Sequence, residues 1–135
     1  MSLREEERLT LVNLYINKSD ETLEDARLTY SQERWNASAN RLYYALFHMI
    51  TALFVSDGVP VHSHNGMKVN FGKEYVLTGL ATDAEGKLLS QMETMRERAD
   101  YDVTFTASKE LLDERFDAVE NMIHHMKELV FRERK

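Results

Sequence analysis

The chain has 135 residues, of which 43% are apolar and 30% charged, and its formal net charge is −6. This length fits one domain with a hydrophobic core, and the composition is that of a folded rather than a disordered chain. The absence of cysteine excludes disulfides and thiolate chemistry. The net negative charge argues against an extended nucleic-acid-binding surface, so no DNA binding is expected. A local basic patch is still compatible with this net charge.

Near its N-terminus the sequence has four consecutive charged residues, Arg4-Glu5-Glu6-Glu7, a pattern unlike that of a signal peptide. The longest apolar stretch, residues 42–55, is shorter than the ~20 residues that a membrane span needs. We therefore expect a cytoplasmic protein without membrane contact.

Few chain breakers interrupt the sequence, and helical spacing of apolar residues recurs along it. It predicts long helices over residues 5–31, 33–56, 83–99 and 108–131, the last capped by Thr106 or Ser108. Gly58 is the expected cap at the end of the second helix. Glycines break up residues 61–82, where we expect one or two short helices. The predicted fold class is therefore all-α: an antiparallel up-and-down bundle of four long helices, forming one domain over residues 1–135.

The second helix is apolar nearly all round from Leu42 onward, which places it at the centre of the bundle or in a subunit interface. Asn40, Tyr44 and His48 interrupt it at spacings of four, with Arg41 beside them. Buried polar groups need partners. These side chains either satisfy each other's hydrogen bonds in the core or face a pocket.

Residues 96–102, Arg-Glu-Arg-Ala-Asp-Tyr-Asp, form the second candidate cluster. Arginine presents a planar fork of donors that suits phosphate, and tyrosine stacks on bases or donates a hydrogen bond. Arg96, Arg98, Asp100 and Tyr101 are thus candidate ligand-binding residues. The alternative is a solvated helix end, with the arginines placed favourably near the negative end of the helix dipole and Tyr101 packed against the bundle.

The histidines give little support for a metal site. His62 and His64 share a loop, but no further ligand keeps regular spacing with them, and the adjacent His124 and His125 point to different helix faces. We expect neither a metal nor a cofactor.

Three motifs occur in order: Asn40-Arg41-Leu42-Tyr43-Tyr44-Ala45-Leu46-Phe47-His48, then His64-Asn65-Gly66, then Arg96-x-x-Ala99-Asp100-Tyr101. Together they resemble the HEPN domain family, in its small stand-alone bacterial and archaeal branch, over roughly residues 8–130. The resemblance implies a helical bundle that forms homodimers and is often encoded beside a minimal nucleotidyltransferase. Some members bind nucleotide or substrate for that transferase, and others are the toxin of a toxin–antitoxin pair.

Active members of the family are metal-independent ribonucleases that carry an arginine and, after four to six intervening residues, a histidine. In this chain the window after Arg96 holds Tyr101, Asp102 and Val103, and the window after Arg98 holds no histidine either. An aspartate is a poor general acid at neutral pH. For the usual chemistry, His48 or His64 would have to reach the site from elsewhere.

We therefore predict a non-catalytic HEPN module that binds a nucleotide, an RNA end or a substrate for a separate nucleotidyltransferase. Arg96 and Arg98 would face phosphate, Asp100 would orient an arginine, and Tyr101 would stack or be modified by the partner. Asn40, Arg41, Tyr44 and His48 would form the facing wall, with a contribution from His64. The alternatives are a divergent ribonuclease toxin and a purely structural interaction module.

Overall fold

A computed structural model gives the structure of residues 3–61 and 63–134. Within these residues the α-helices are α1 (Leu3–Ser31), α2 (Trp35–Asp57), α3 (His64–Phe71), α4 (Asp83–Tyr101) and α5 (Lys109–Val130). A π-helical turn, Gly72–Val76, continues α3, and the described part of the chain contains no strand. The predicted all-α bundle of four long helices, with short helical structure in the 61–82 region, is confirmed.

Helix α2 lies at the centre of the bundle, packed against α1, α4 and α5. Its side chains Leu42, Leu46, Met49, Leu53 and Phe54 are fully buried. Burial of one large apolar side chain contributes about 1.5–3 kcal/mol, so this helix supplies much of the stabilisation of the core. The nearly continuous apolar surface of α2 is therefore covered largely by the other helices of the same chain.

Side-chain and glycine caps stabilise several helix ends, two of them among those that the sequence predicts. The side chain of Thr82 accepts a hydrogen bond from the backbone of Glu85, whose carboxylate accepts one in return, which makes a capping box for α4. Of the two caps considered for α5, Ser108 is the one used, and Thr106 is not. Gly58 ends α2 in the left-handed conformation, as predicted, at φ 71°.

Three of these elements meet at one end of the bundle. The first half of α2 contacts the last turns of α4 through Asn40 and Asp100, and it contacts the first residue of α3 through Tyr43 and His64. The two sequence clusters, which are far apart along the chain, are thus brought together by helix packing.

Candidate functional site

An open cleft of about 570 Å³ lies between the C-terminal turns of α4, the middle of α2 and the start of α3. Its lining residues are Tyr44, His64, Arg96, Glu97, Arg98, Tyr101 and Asp102. Five of the seven come from residues 96–102, so the charged run at the end of α4 forms most of the cleft wall.

Arg96 is the most deeply placed of these residues, with only 5% of its surface exposed. Its guanidinium carbon lies 5.4 Å from the ring centre of Tyr43, 5.8 Å from that of Tyr44 and 6.0 Å from that of Tyr101. Such cation–π contacts hold a desolvated cation more strongly than an exposed one. The Nε of Arg96 is buried and has no hydrogen-bond partner among the described residues, so the guanidinium retains an unused donor.

A chain of polar contacts holds Arg96 from behind the cleft. Its Nη1 lies 3.6 Å from Asp100 Oδ2, and the amide of Asn40 donates to both carboxylate oxygens of Asp100, at 3.0 and 3.3 Å. Asn40 Oδ1 in turn accepts hydrogen bonds from Arg41 Nε and Nη2. Burial would lower the pKa of Arg96, but the surrounding Tyr44, Tyr43, Asp100 and Glu97 raise it, so the group stays charged.

The outer rim of the cleft is more exposed. Arg98 lies over the ring of Phe105 at 4.5 Å, and its Nε is 3.8 Å from Asp102 Oδ2. Hydrogen bonds from the side chain and backbone of Thr104 lower the pKa of Asp102. Tyr101 is 76% exposed. The interpretation of residues 96–102 as a solvated helix end fits Arg98 and Asp102. It does not account for the burial of Arg96 beside an exposed Tyr101.

His64 lines the opposite side of the cleft as the first residue of α3. Its Nδ1 lies 2.7 Å from the hydroxyl of Tyr43, and its ring packs 4.9 Å from that of Phe47. Burial, and then the charge of Glu93, raise the pKa of Tyr43, so its phenol keeps its proton. His64, predicted as an auxiliary residue in a loop, instead begins α3 and lies within the same cleft as Arg96.

His48 lies further along α2, outside the cleft lining, with its ring 6.2 Å from that of Tyr44. Burial lowers its pKa, and Lys18 and Arg41 lower it further, because each makes a second positive charge unfavourable. Of the two histidines that could replace the missing signature histidine, His64 therefore lies in the cleft and His48 lies outside it.

Sequence reasoning missed three residues that shape this region. Glu97 lines the cleft. Tyr43, which the sequence indicated only as part of the first motif, contacts His64. Glu93 is 6% exposed and forms an ion pair with Lys68 at 3.4 Å. The signal for Glu93 was available, since it continues the buried face of α4 one turn before Arg96.

A metal centre finds no support in the part of the chain that the structure describes. No group of three His, Cys, Asp or Glu side chains there could hold a metal ion. His124 pairs with Glu128 and His125 with Glu85, so the two act separately. His62 lies outside the described residues.

None of the described helices is long and apolar enough to cross a bilayer.

The fold and the site thus define the class of protein: an all-helical bundle with a cleft lined by charged and aromatic side chains. The chain belongs to the HEPN domain family, whose model matches residues 12–130. It is 33% identical to a UPF0332 protein of Thermotoga maritima, over 70% of this chain and 72% of that one. It is 27% identical to a candidate toxin of Methanocaldococcus jannaschii, over 70% of this chain and 65% of the relative. A second candidate toxin of that organism is 26% identical over 67% of each chain.

Proposed function

We propose that the cleft binds a phosphorylated ligand, a nucleotide or an RNA end, and that the chain is a non-catalytic HEPN module acting with a separate nucleotidyltransferase. The observation that carries the proposal is the placement of Arg96. It is a buried cation, framed by tyrosine rings, that lines a cleft whose rim holds Arg98. Guanidinium groups bind phosphate oxygens well, and exposed aromatic rings stack on bases.

The electrostatics favour a local site over a general nucleic-acid surface. The chain as a whole carries a net charge of −6, which repels a polyanion at long range. Asp100 and Asn40 hold Arg96 in position before any ligand arrives. Preorganised donors lose little conformational entropy on binding, so a small ligand suits this cleft better than a long duplex.

The family and its relatives support the wider biological role. Two relatives bear the name of candidate toxins, which supports a toxin-like role for this chain. On the basis of the family resemblance, we also propose that the chain forms a homodimer and has a minimal nucleotidyltransferase as its partner. A cytoplasmic location is likewise part of the proposal. Tyr101, at 76% exposure, is accessible to an enzyme that would modify it.

Binding measurements test the ligand proposal. Isothermal titration with nucleoside monophosphates and short RNA oligonucleotides is expected to show binding that Arg98→Ala and Tyr101→Ala weaken. Removal of one charge-assisted hydrogen bond from a bound phosphate costs about 1.5–3 kcal/mol, or roughly ten- to a hundredfold in affinity. Arg34→Ala is the matched control, because it removes an exposed arginine that lies outside the cleft, at the N-cap of α2. Equal binding by all variants would indicate a purely structural module instead.

Capture experiments test the partner. The immobilised chain, exposed to lysate of its source organism, is expected to retain a small nucleotidyltransferase. With a nucleoside triphosphate, this enzyme would transfer a nucleoside monophosphate to the Tyr101 hydroxyl and release pyrophosphate. Intact-mass analysis of the wild type and Tyr101→Phe then shows whether the modification depends on that hydroxyl. Retention of RNA without a transferase would move the proposal to a stand-alone binding module.

One observation favours a second function, that of a divergent ribonuclease. His64 and Arg96 line the same cleft, although no histidine follows Arg96 at the spacing of the family signature. An imidazole and a guanidinium together suit metal-independent RNA cleavage by general acid–base chemistry. This function predicts cleavage in the presence of EDTA that both Arg96→Ala and His64→Ala abolish, while His48→Ala retains it. Growth arrest on overexpression, relieved by Arg96→Ala, would point the same way.

A further inference from the structure

The charges of the cleft indicate more than a site for phosphate. Arg96 and Arg98 are balanced there by two carboxylates, those of Glu97 and Asp102. A carboxylate repels a phosphate, so a site that bound phosphate alone would gain nothing from either. A ligand that also presents hydrogen-bond donors would use both kinds of group.

The carboxylates near the cleft differ in whether they are already occupied. Asp102 Oδ1 accepts two hydrogen bonds from Thr104, and its Oδ2 faces Arg98. Asp100 is occupied by Asn40 and Arg96. Glu97 has only a distant contact, 4.0 Å from Arg96 Nη2, and its carboxylate accepts no hydrogen bond from the described residues. With a side chain 55% exposed, it has free acceptors at the cleft wall.

We propose that Glu97 reads the base of the ligand and that the cleft selects guanine, in a free nucleotide or within RNA; this inference rests on the phosphate-binding function proposed above. Guanine alone among the four bases presents two adjacent N–H donors on its Watson–Crick edge, and these match the two oxygens of a carboxylate. Adenine and cytosine place an acceptor beside their amino group, and uracil flanks its single N–H with two carbonyls. Protein carboxylates accept from bases in this way, and exposed rings stack on them.

The surroundings of Glu97 favour this arrangement. The rings of Tyr44 and Tyr101 line the same cleft and provide surfaces on which a base can stack. Helix α4 ends at Tyr101, and the partial negative charge of a helix C-terminus also favours donors on the ligand over acceptors. Arg96 and Arg98 remain for the phosphate.

Base selectivity tests the inference. NMR titrations of the full chain with GMP, AMP, CMP, UMP and ribose 5-phosphate are expected to show GMP binding about tenfold more tightly than the others. Glu97→Gln should abolish that preference and favour AMP and CMP, because an amide both donates and accepts and thereby matches the donor–acceptor edge of adenine or cytosine. Glu114→Gln, on the exposed surface of α5, is the matched control and should keep the preference.

The outcomes separate the inference from the function on which it rests. Equal binding of all four nucleotides would overturn guanine selection and leave phosphate binding standing. A preference for GMP that survives Glu97→Gln would overturn the role of Glu97. Failure of every probe to bind, ribose 5-phosphate included, would overturn the proposed function itself. A guanine-containing trinucleotide, compared with GMP, shows whether the ligand is a free nucleotide or an RNA.

Discussion

The hydroxyl of Tyr43 lies 2.7 Å from Nδ1 of His64, and this contact ties the centre of α2 to the first residue of α3. Burial raises the pKa of Tyr43, so the phenol is protonated at neutral pH and able to donate to Nδ1. A neutral imidazole that accepts at Nδ1 carries its own proton on Nε2. We therefore expect this contact to favour the Nε2–H tautomer of a histidine in the cleft wall.

Tyr43→Phe removes the hydroxyl and keeps the buried ring, so both neutral tautomers of His64 are expected to be populated. Loss of the hydrogen bond should cost about 0.5–1.5 kcal/mol in the free energy of unfolding. Nitrogen-15 NMR of the His64 imidazole should show mainly the Nε2–H form in the wild type and a mixture of both tautomers in the variant. An unchanged tautomer in Tyr43→Phe would show that another group sets it.

The link from Asn40 to Asp100 leads to a prediction about ligand binding. Asn40→Ala removes two hydrogen bonds to the carboxylate that faces Arg96. Asp100 then becomes a freer partner for Arg96, so the guanidinium should be drawn away from a bound phosphate. We expect roughly a three- to tenfold loss of nucleotide affinity, corresponding to the ~1 kcal/mol of a typical hydrogen bond. Asn121→Ala, on the exposed face of α5, is the control. Titration calorimetry measures both, and equal affinities would rule out this positioning role.

Much of the fold was predictable because it follows from local rules. Apolar spacing located the long helices, and residue type identified Gly58 as a cap and left Thr106 and Ser108 as the two candidates for the cap of α5. The nearly continuous apolar surface of α2 predicted that this helix is covered, at the bundle centre or in a subunit interface, and the structure places it at the centre, against α1, α4 and α5. The π-helical turn at Gly72–Val76 was not predictable, because tertiary packing and not a sequence pattern selects such a turn.

The candidate site was predictable only in its two halves. Both Asn40 and Arg96 were selected from the sequence, but the contact through Asp100 depends on how α2 packs against α4. The choice between His48 and His64 also needed the structure. His48 has regular spacing with Asn40 and Tyr44 yet lies outside the cleft, while His64 reaches it from a different helix. Glu97 was overlooked because its neighbours looked more distinctive.

At the other end of the bundle, Asp57 leads to a prediction about pH. Burial alone would raise its pKa, but hydrogen bonds from Tyr75, Arg134 and Arg132 outweigh burial and lower the pKa below the ordinary 3.8. A carboxylate with a lowered pKa stabilises the fold above its unfolded pKa, and that stabilisation is lost as the pH falls through the folded value. Asp57→Ala should therefore reduce the free energy of unfolding by about 1–3 kcal/mol at pH 7.

Urea denaturation from pH 7 to pH 3 measures this dependence. The difference between wild type and Asp57→Ala should stay constant down to about pH 5 and shrink below it, because the Asp57 carboxylate becomes protonated first in the unfolded chain and at lower pH in the folded one. Asp117→Ala removes an exposed carboxylate from α5 and should change stability little at any pH. A difference that persists undiminished at pH 3 would mean that lost packing, and not the ionised carboxylate, accounts for the effect.

Two glycines are expected to respond in opposite directions to the same substitution. Gly58 has φ 71°, while Gly72 has φ −59°, and a Cβ added at either would meet no atom within 4 Å. Steric crowding is therefore equal, and backbone conformation alone separates the two sites. Gly58→Ala places a side chain in the left-handed region and should cost about 1–2 kcal/mol. Gly72→Ala restricts the unfolded chain without straining the folded one and should gain about 0.4–1 kcal/mol. Thermal and urea denaturation compare the two variants with the wild type, and a shift of the same sign for both would contradict the conformations assigned to these turns.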